Sequence, residues 1–83
     1  ALKIETRLNG KTMQQACTAE MILSVVDIVI YLSKFTTLKP GDIIATGTPS
    51  GVGMSRNPQI WLASGDTVEI CISSIGCLNN LVV

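Results

Sequence analysis

The chain has 83 residues, of which 47% are apolar and only 14% charged; six basic and six acidic side chains cancel to a formal charge of zero, and there is no histidine. With no basic stripe to neutralise phosphates, nucleic acid and anionic membrane are poor partners. Without histidine, the commonest general base, the commonest metal ligand and any Ser-His or Cys-His pair are removed.

Leu2–Leu8 alternates in character and predicts a strand, with Leu2, Ile4, Thr6 and Leu8 on one face and Lys3, Glu5 and Arg7 on the other. Asn9-Gly10 offers two residues that tolerate positive φ, so a type I′ turn should reverse the chain into Lys11–Ala16. In that register Thr6 opposes Met13 and Arg7 opposes Thr12. Thr18 is the expected helix cap, with Glu20 in the first turn where the helix dipole favours an anion. Glu20, Ser24, Asp27, Tyr31 and Lys34 then recur every three or four residues as a polar stripe. Met21, Ile22, Val25, Val26, Ile28, Val29, Leu32 and Phe35 cover the rest, which predicts a helix buried on most sides. The β-branched run Val25–Ile30 leaves a strand reading open, and the periodic stripe favours the helix.

Leu38-Lys39-Pro40-Gly41-Asp42 reads as a turn, and Ile43–Thr46 as a short buried strand after it. A loop follows over Thr46–Gly53, then an extended Gln59–Leu62. Leu62-Ala63-Ser64-Gly65-Asp66 repeats the Leu-x-x-Gly-Asp spacing of Leu38–Asp42 and leads into a strand over Thr67–Ile72. Ile75-Gly76 opens a final turn and strand to Val83. The fold class expected is α+β, mostly β: one buried helix among about six short strands, with no linker.

A chain this short buries only about 60% of the surface its unfolded form exposes, so the apolar excess predicts a face covered by another domain or subunit. The longest apolar stretch, Ile28–Leu32, is far below the ~20 residues of a membrane span. Cys17, Cys71 and Cys77 form an odd set with no CxxC pair, which fits reduced thiols in the cytoplasm rather than a metal cluster.

The strongest candidate for chemistry is Thr46–Gly53. Its three glycines let backbone N–H groups converge on one spot suited to a carboxylate or enolate oxygen, and Thr46, Thr48 and Ser50 add hydroxyls. No Gly-Lys-Ser/Thr closes it, and its G-x-x-x-G-x-G spacing is not a dinucleotide fingerprint; on spacing alone, an elaborate surface turn fits equally well. Arg56 is a candidate partner for a substrate carboxylate, with a solvated loop arginine as the plainer reading. Asp42 and Asp66 read as turn stabilisers. Glu5 and Glu69 have no metal-site spacing, Cys71 and Cys77 read as small core residues, and Trp61 reads as packing.

The run Leu38-x-Pro40-Gly41-Asp42-Ile43-Ile44-x-Thr46-Gly47-Thr48-Pro49-x-Gly51-Val52-Gly53 resembles the signature of the fumarylacetoacetate hydrolase family. Asn9-Gly10, Thr18-x-x-Met21-Ile22, Leu62-x-x-Gly65-Asp66-x-Val68 and Ile75-Gly76-x-Leu78-x-Asn80 extend the likeness over nearly the whole chain, with acylpyruvate hydrolases and hydroxymuconate isomerases as the nearest branch. The resemblance implies a mixed β-roll fragment, residues 1–83 being the carboxy-terminal portion of one catalytic domain. It implies a cytoplasmic homodimer that acts on a 2-oxo acid through C–C hydrolysis, decarboxylation or ketonisation, with Mg²⁺ or Mn²⁺ as Lewis acid. Thr46, and after it Gly47 and Thr48, would bind the substrate carboxylate. The family's metal-binding carboxylates, lysine and His-Glu dyad lie upstream and have no counterpart here, so no catalytic or metal-ligating residue is assigned. Asn79 stands where many relatives carry arginine, and Glu20 where aspartate is common. A truncated, non-catalytic binding or dimerising module is the alternative.

Overall fold

Four strands form a single antiparallel sheet in the order β2-β1-β3-β4, with β1 Lys3–Leu8, β2 Lys11–Cys17, β3 Thr67–Ile72 and β4 Gly76–Leu81. The computed structural model describes all of Ala1–Val83. A single α-helix, α1 (Val25–Ser33), and 3-10 turns at Thr18–Glu20 and Gly53–Ser55 complete the regular structure. The α+β, mostly β class holds.

The β1–β2 turn is as its residues dictate: Asn9 and Gly10 both have positive φ, at 50° and 82°. The Asn9 side chain also ties the hairpin to β3, its Nδ2 donating to Asp66 Oδ1 and its Oδ1 accepting from Thr67 N, each at 2.9 Å. The register departs from expectation by one residue. Arg7 pairs with Thr12, but Thr6 pairs with Gln14, leaving Met13 as a β-bulge with no partner on β1. The sheet keeps two distinct faces. Ile4, Thr6 and Leu8 align with Ile72, Ile70 and Val68, while Glu5 and Arg7 align with Cys71 and Glu69. On the polar face Arg7 grips Glu5 (2.9 Å) and Glu69 (2.9 Å), and Thr12 donates to Glu5.

The helix begins later than expected. Thr18 does not cap it; its hydroxyl accepts from Leu2 N at 2.9 Å and fastens the end of β2 to the start of β1. Ser24 is the cap, accepting from Asp27 N at 3.1 Å, while Asp27 reaches back to Ser24 N at 3.2 Å. The Ser-x-x-Asp signal was present in the sequence, hidden by the longer polar stripe. The helix is also not buried here: Val25, Val26 and Ile30 are more than half exposed, and only Ile28 and Leu32 are half-buried. No helix is long and apolar enough to cross a membrane.

Ile43–Thr46 and Gln59–Leu62 form no strand, which reduces six expected strands to four. A strand exists only through a neighbour's hydrogen bonds, and no segment of this chain lies beside Ile43–Thr46 to provide them. The mixed β-roll is likewise not formed within these residues, where the sheet is open and wholly antiparallel. Cys71 and Cys77, expected as free thiols in the core, are bonded to each other because β3–β4 pairing sets them directly opposite, with Cα atoms 4.0 Å apart; Cys17 alone is free.

No residue of the chain is fully buried, and its surface measures 6568 Å². A free-standing globule of 8.8 kDa would expose about 4,800 Å², so roughly 1,800 Å² is in excess. The radius of gyration agrees, at 15.3 Å against about 12 Å for a compact chain of this length.

Candidate functional site

Thr46–Gly53 runs beside the edge strand β2 at its bulge, where it meets Met13 and Gln14. Turn chemistry delivers the chain to it. Asp42 N donates to Lys39 O at 3.1 Å, Gly41 takes φ 94°, and the Asp42 carboxylate accepts from Lys39 N at 2.8 Å. The Ala63–Asp66 turn repeats this arrangement, with Asp66 accepting from Ala63 N at 2.8 Å and Gly65 at φ 93°. Both aspartates are therefore turn stabilisers, as their position after Gly suggests. The Asn9 amide, then the Ala63 N–H, holds the Asp66 carboxyl below its ordinary value.

Gln14, Arg56 and Gly51 seat the loop on β2. Gln14 Nε2 donates to Thr48 Oγ1 and to the Pro49 carbonyl, each at 2.7 Å. Arg56 donates from Nε to Gly51 O at 3.0 Å and from Nη2 to Met13 O at 2.7 Å. Gly51 lies so close to the Met13 carbonyl that a Cβ there would collide with its oxygen. The bulge makes this possible, because it leaves Met13 without a partner on β1. Arg56 is thus more than a solvated loop arginine: two of its nitrogens donate to main-chain carbonyls and tie the loop to β2.

Thr46, Gly47 and Thr48 lie together on this loop and are exposed. The amides of Gly47, Thr48, Ser50 and Gly51 donate to no other group of the chain. Leu8, Met13, Val52, Ile60 and Trp61 line an apolar cleft of about 310 Å³ whose wall takes Gln14 and Gly51–Gly53 from this region but none of Thr46, Gly47 or Thr48. Trp61 is 62% exposed and walls this cleft rather than filling a core. The loop thus carries unpaired donors that suit an anion, and the neighbouring cleft is apolar. Sequence reasoning missed Gln14 because its register put Met13, not Gln14, opposite Thr6. A bulge leaves no residue-type signal when the bulged position is not glycine.

One group of three metal-ligating residues exists: Glu69, Cys71 and Cys77, with ligand atoms within 4.8 Å of one another. Its sulfurs are joined to each other and its carboxylate is held by Arg7, so it offers no set of free oxygens to a hard divalent cation.

Residues 1–83 match the family described as fumarylacetoacetate (FAA) hydrolase C-terminal. The chain is 51% identical over 79 residues to oxaloacetate tautomerase YisK of Bacillus subtilis (strain 168), covering 95% of this chain and 26% of that protein. It is 45% identical over 82 residues to a mitochondrial oxaloacetate tautomerase of Rattus norvegicus, covering 99% and 26%. The chain therefore spans about a quarter of the length of these relatives. Among solved structures, fumarylacetoacetate hydrolase from Exiguobacterium antarcticum superposes with a TM-score of 0.93 at 43% identity, over 98% of this chain and 29% of that one. Maleylpyruvate hydrolase from Sphingobium superposes with a TM-score of 0.86 at 35% identity, over 99% and 28%.

Proposed function

This chain belongs to the fumarylacetoacetate hydrolase family, and from that premise we propose that residues 1–83 are the carboxy-terminal portion of one catalytic domain in an enzyme acting on 2-oxo acids. The reaction proposed is enol–keto tautomerisation of a 2-oxo dicarboxylic acid of the oxaloacetate kind. The observation that carries it is the Thr46–Thr48 segment: free backbone donors and two hydroxyls, tied through Gln14 to β2. Relatives named as oxaloacetate tautomerases support tautomerisation over C–C hydrolysis of acylpyruvates or isomerisation of hydroxymuconate-type diacids. All three reactions place an enolate next to a carboxylate, so the same loop suits each of them.

Within this reading, Thr46, Gly47 and Thr48 bind the substrate carboxylate and align the adjacent carbonyl. Tautomerisation moves a proton between the enol oxygen and the neighbouring carbon. With no histidine in the chain, the acid–base groups come from elsewhere in the enzyme. The Mg²⁺ or Mn²⁺ of the proposed parent has its ligands outside these residues as well, and no step derived from this chain passes through it. The roughly 1,800 Å² of excess surface, with the apolar side of α1, is proposed to lie against the rest of the parent and a second subunit. A cytoplasmic or a mitochondrial location fits the parent, since relatives include mitochondrial enzymes.

The test is to add enol-oxaloacetate to the full-length protein and follow the decay of enol absorbance. Saturable acceleration that oxalate inhibits is expected, and Thr46→Val should weaken it. No acceleration together with no oxalate binding would overturn the proposal and favour a non-catalytic binding module.

A further inference from the structure

We infer that Gln14 is a positioning residue that turns Thr48 into a hydrogen-bond donor aimed at the substrate carboxylate; this rests on the 2-oxo-acid reading above. Gln14 follows the bulge in β2, and its amide nitrogen stands 2.7 Å from both Thr48 Oγ1 and the Pro49 carbonyl. A carbonyl can only accept, so the atom facing Pro49 must be the amide nitrogen and not the amide oxygen. That nitrogen carries two hydrogens, one for each partner.

The consequence falls on Thr48. A hydroxyl has one hydrogen, and Thr48 Oγ1 already accepts from Gln14. Its hydrogen is left for an outside acceptor, and the backbone amides of Gly47, Thr48 and Ser50 next to it are donors too. With these donors free, the loop suits a carboxylate. Arg56 secures the far end of the same loop through Gly51 and Met13, so both ends are pinned to the bulge and little ordering remains for the ligand to impose.

The experiment is a double-mutant cycle on the full-length protein, with oxalate affinity measured by calorimetry. Gln14→Glu is nearly isosteric, but it sets an acceptor against Pro49 and draws the Thr48 hydrogen inward. A charge-assisted hydrogen bond is strong enough that Gln14→Glu and Thr48→Val should each weaken oxalate by about tenfold. The double variant should be no weaker than Thr48→Val alone, since both changes remove the same donor. Melting midpoints accompany each measurement. If Gln14→Glu does not fold, Gln14→Leu takes its place; it frees the Thr48 hydroxyl to rotate, so a smaller loss is expected, again absent when Thr48 is already valine. Additive losses, near a hundredfold in the double variant, would assign Gln14 a merely structural role and overturn the inference. Unchanged affinity in Gln14→Glu, with oxalate bound by the unaltered protein, would also overturn it while leaving the 2-oxo-acid function standing. No oxalate binding by the unaltered protein would overturn both.

Discussion

Replacing Gly51 with alanine tests whether the loop is truly seated on the bulge. Gly51 has φ 105°, a region side chains rarely adopt, and its Cβ would collide with the Met13 carbonyl oxygen. The backbone strain costs on the order of 1–3 kcal/mol. To escape the collision the loop must lift, which breaks the contact of Arg56 with Met13 and strains that of Gln14 with Pro49. A hydrogen bond from a charged donor contributes about 1.5–3 kcal/mol, reduced here because Arg56 is only half-buried. Together these amount to about 3 kcal/mol, or roughly a hundredfold in the population of the seated loop. Gly65→Ala is the control, since Gly65 has a similar φ of 93° but open space around it. Urea unfolding of the full-length protein should show Gly51→Ala costing more than Gly65→Ala by at least about 1 kcal/mol, with oxalate affinity falling only in the former. Equal costs, and equal oxalate affinity, would refute the seating argument.

Three further outcomes follow from other parts of the molecule. The Thr12 hydroxyl, and then Arg7, hold the Glu5 carboxyl below its ordinary 4.5. A depressed folded pKa means stability fully present above pH 4.5 and lost as pH falls through the lower folded value, so acid unfolding should be shallower in Glu5→Gln; an unchanged acid limb would contradict the network. Ser24→Ala removes the cap of α1 and should cost about 1 kcal/mol in urea unfolding, with Ser24→Thr retaining most of it. Alkylation of the denatured, unreduced protein should label Cys17 alone among the three cysteines, and all three after reduction. Labelling of all three without reductant would show Cys71 and Cys77 unbonded.

Local chemistry was legible wherever it is decided within a few residues. Asn9-Gly10 specified a turn because both positions need positive φ, and the two Gly-Asp turns follow from glycine φ and an aspartate that reaches back three residues. The alternation in Lys3–Leu8 and Thr67–Ile72 specified two-faced strands, because the side-chain period of a strand is two. The long signature over Leu38–Gly53 identified the family, and the substrate role of Thr46–Thr48 is a proposal built on it.

What the sequence could not decide depends on neighbours distant in the chain. Ile43–Thr46 has strand-like residues but lacks a ladder partner, and apolar character cannot supply one. The helix has the stripe of a buried element, yet burial belongs to whatever covers it rather than to the stripe. Cys71 and Cys77 are bonded because antiparallel register sets them opposite, a fact of pairing rather than spacing. Most of all, the bulge at Met13 shifted the hairpin by one residue. That shift set Gln14 against Thr48 and opened the Met13 carbonyl to Arg56. A strand's faces invert with a single-residue slip, so only the folded register could show which side chains hold the loop.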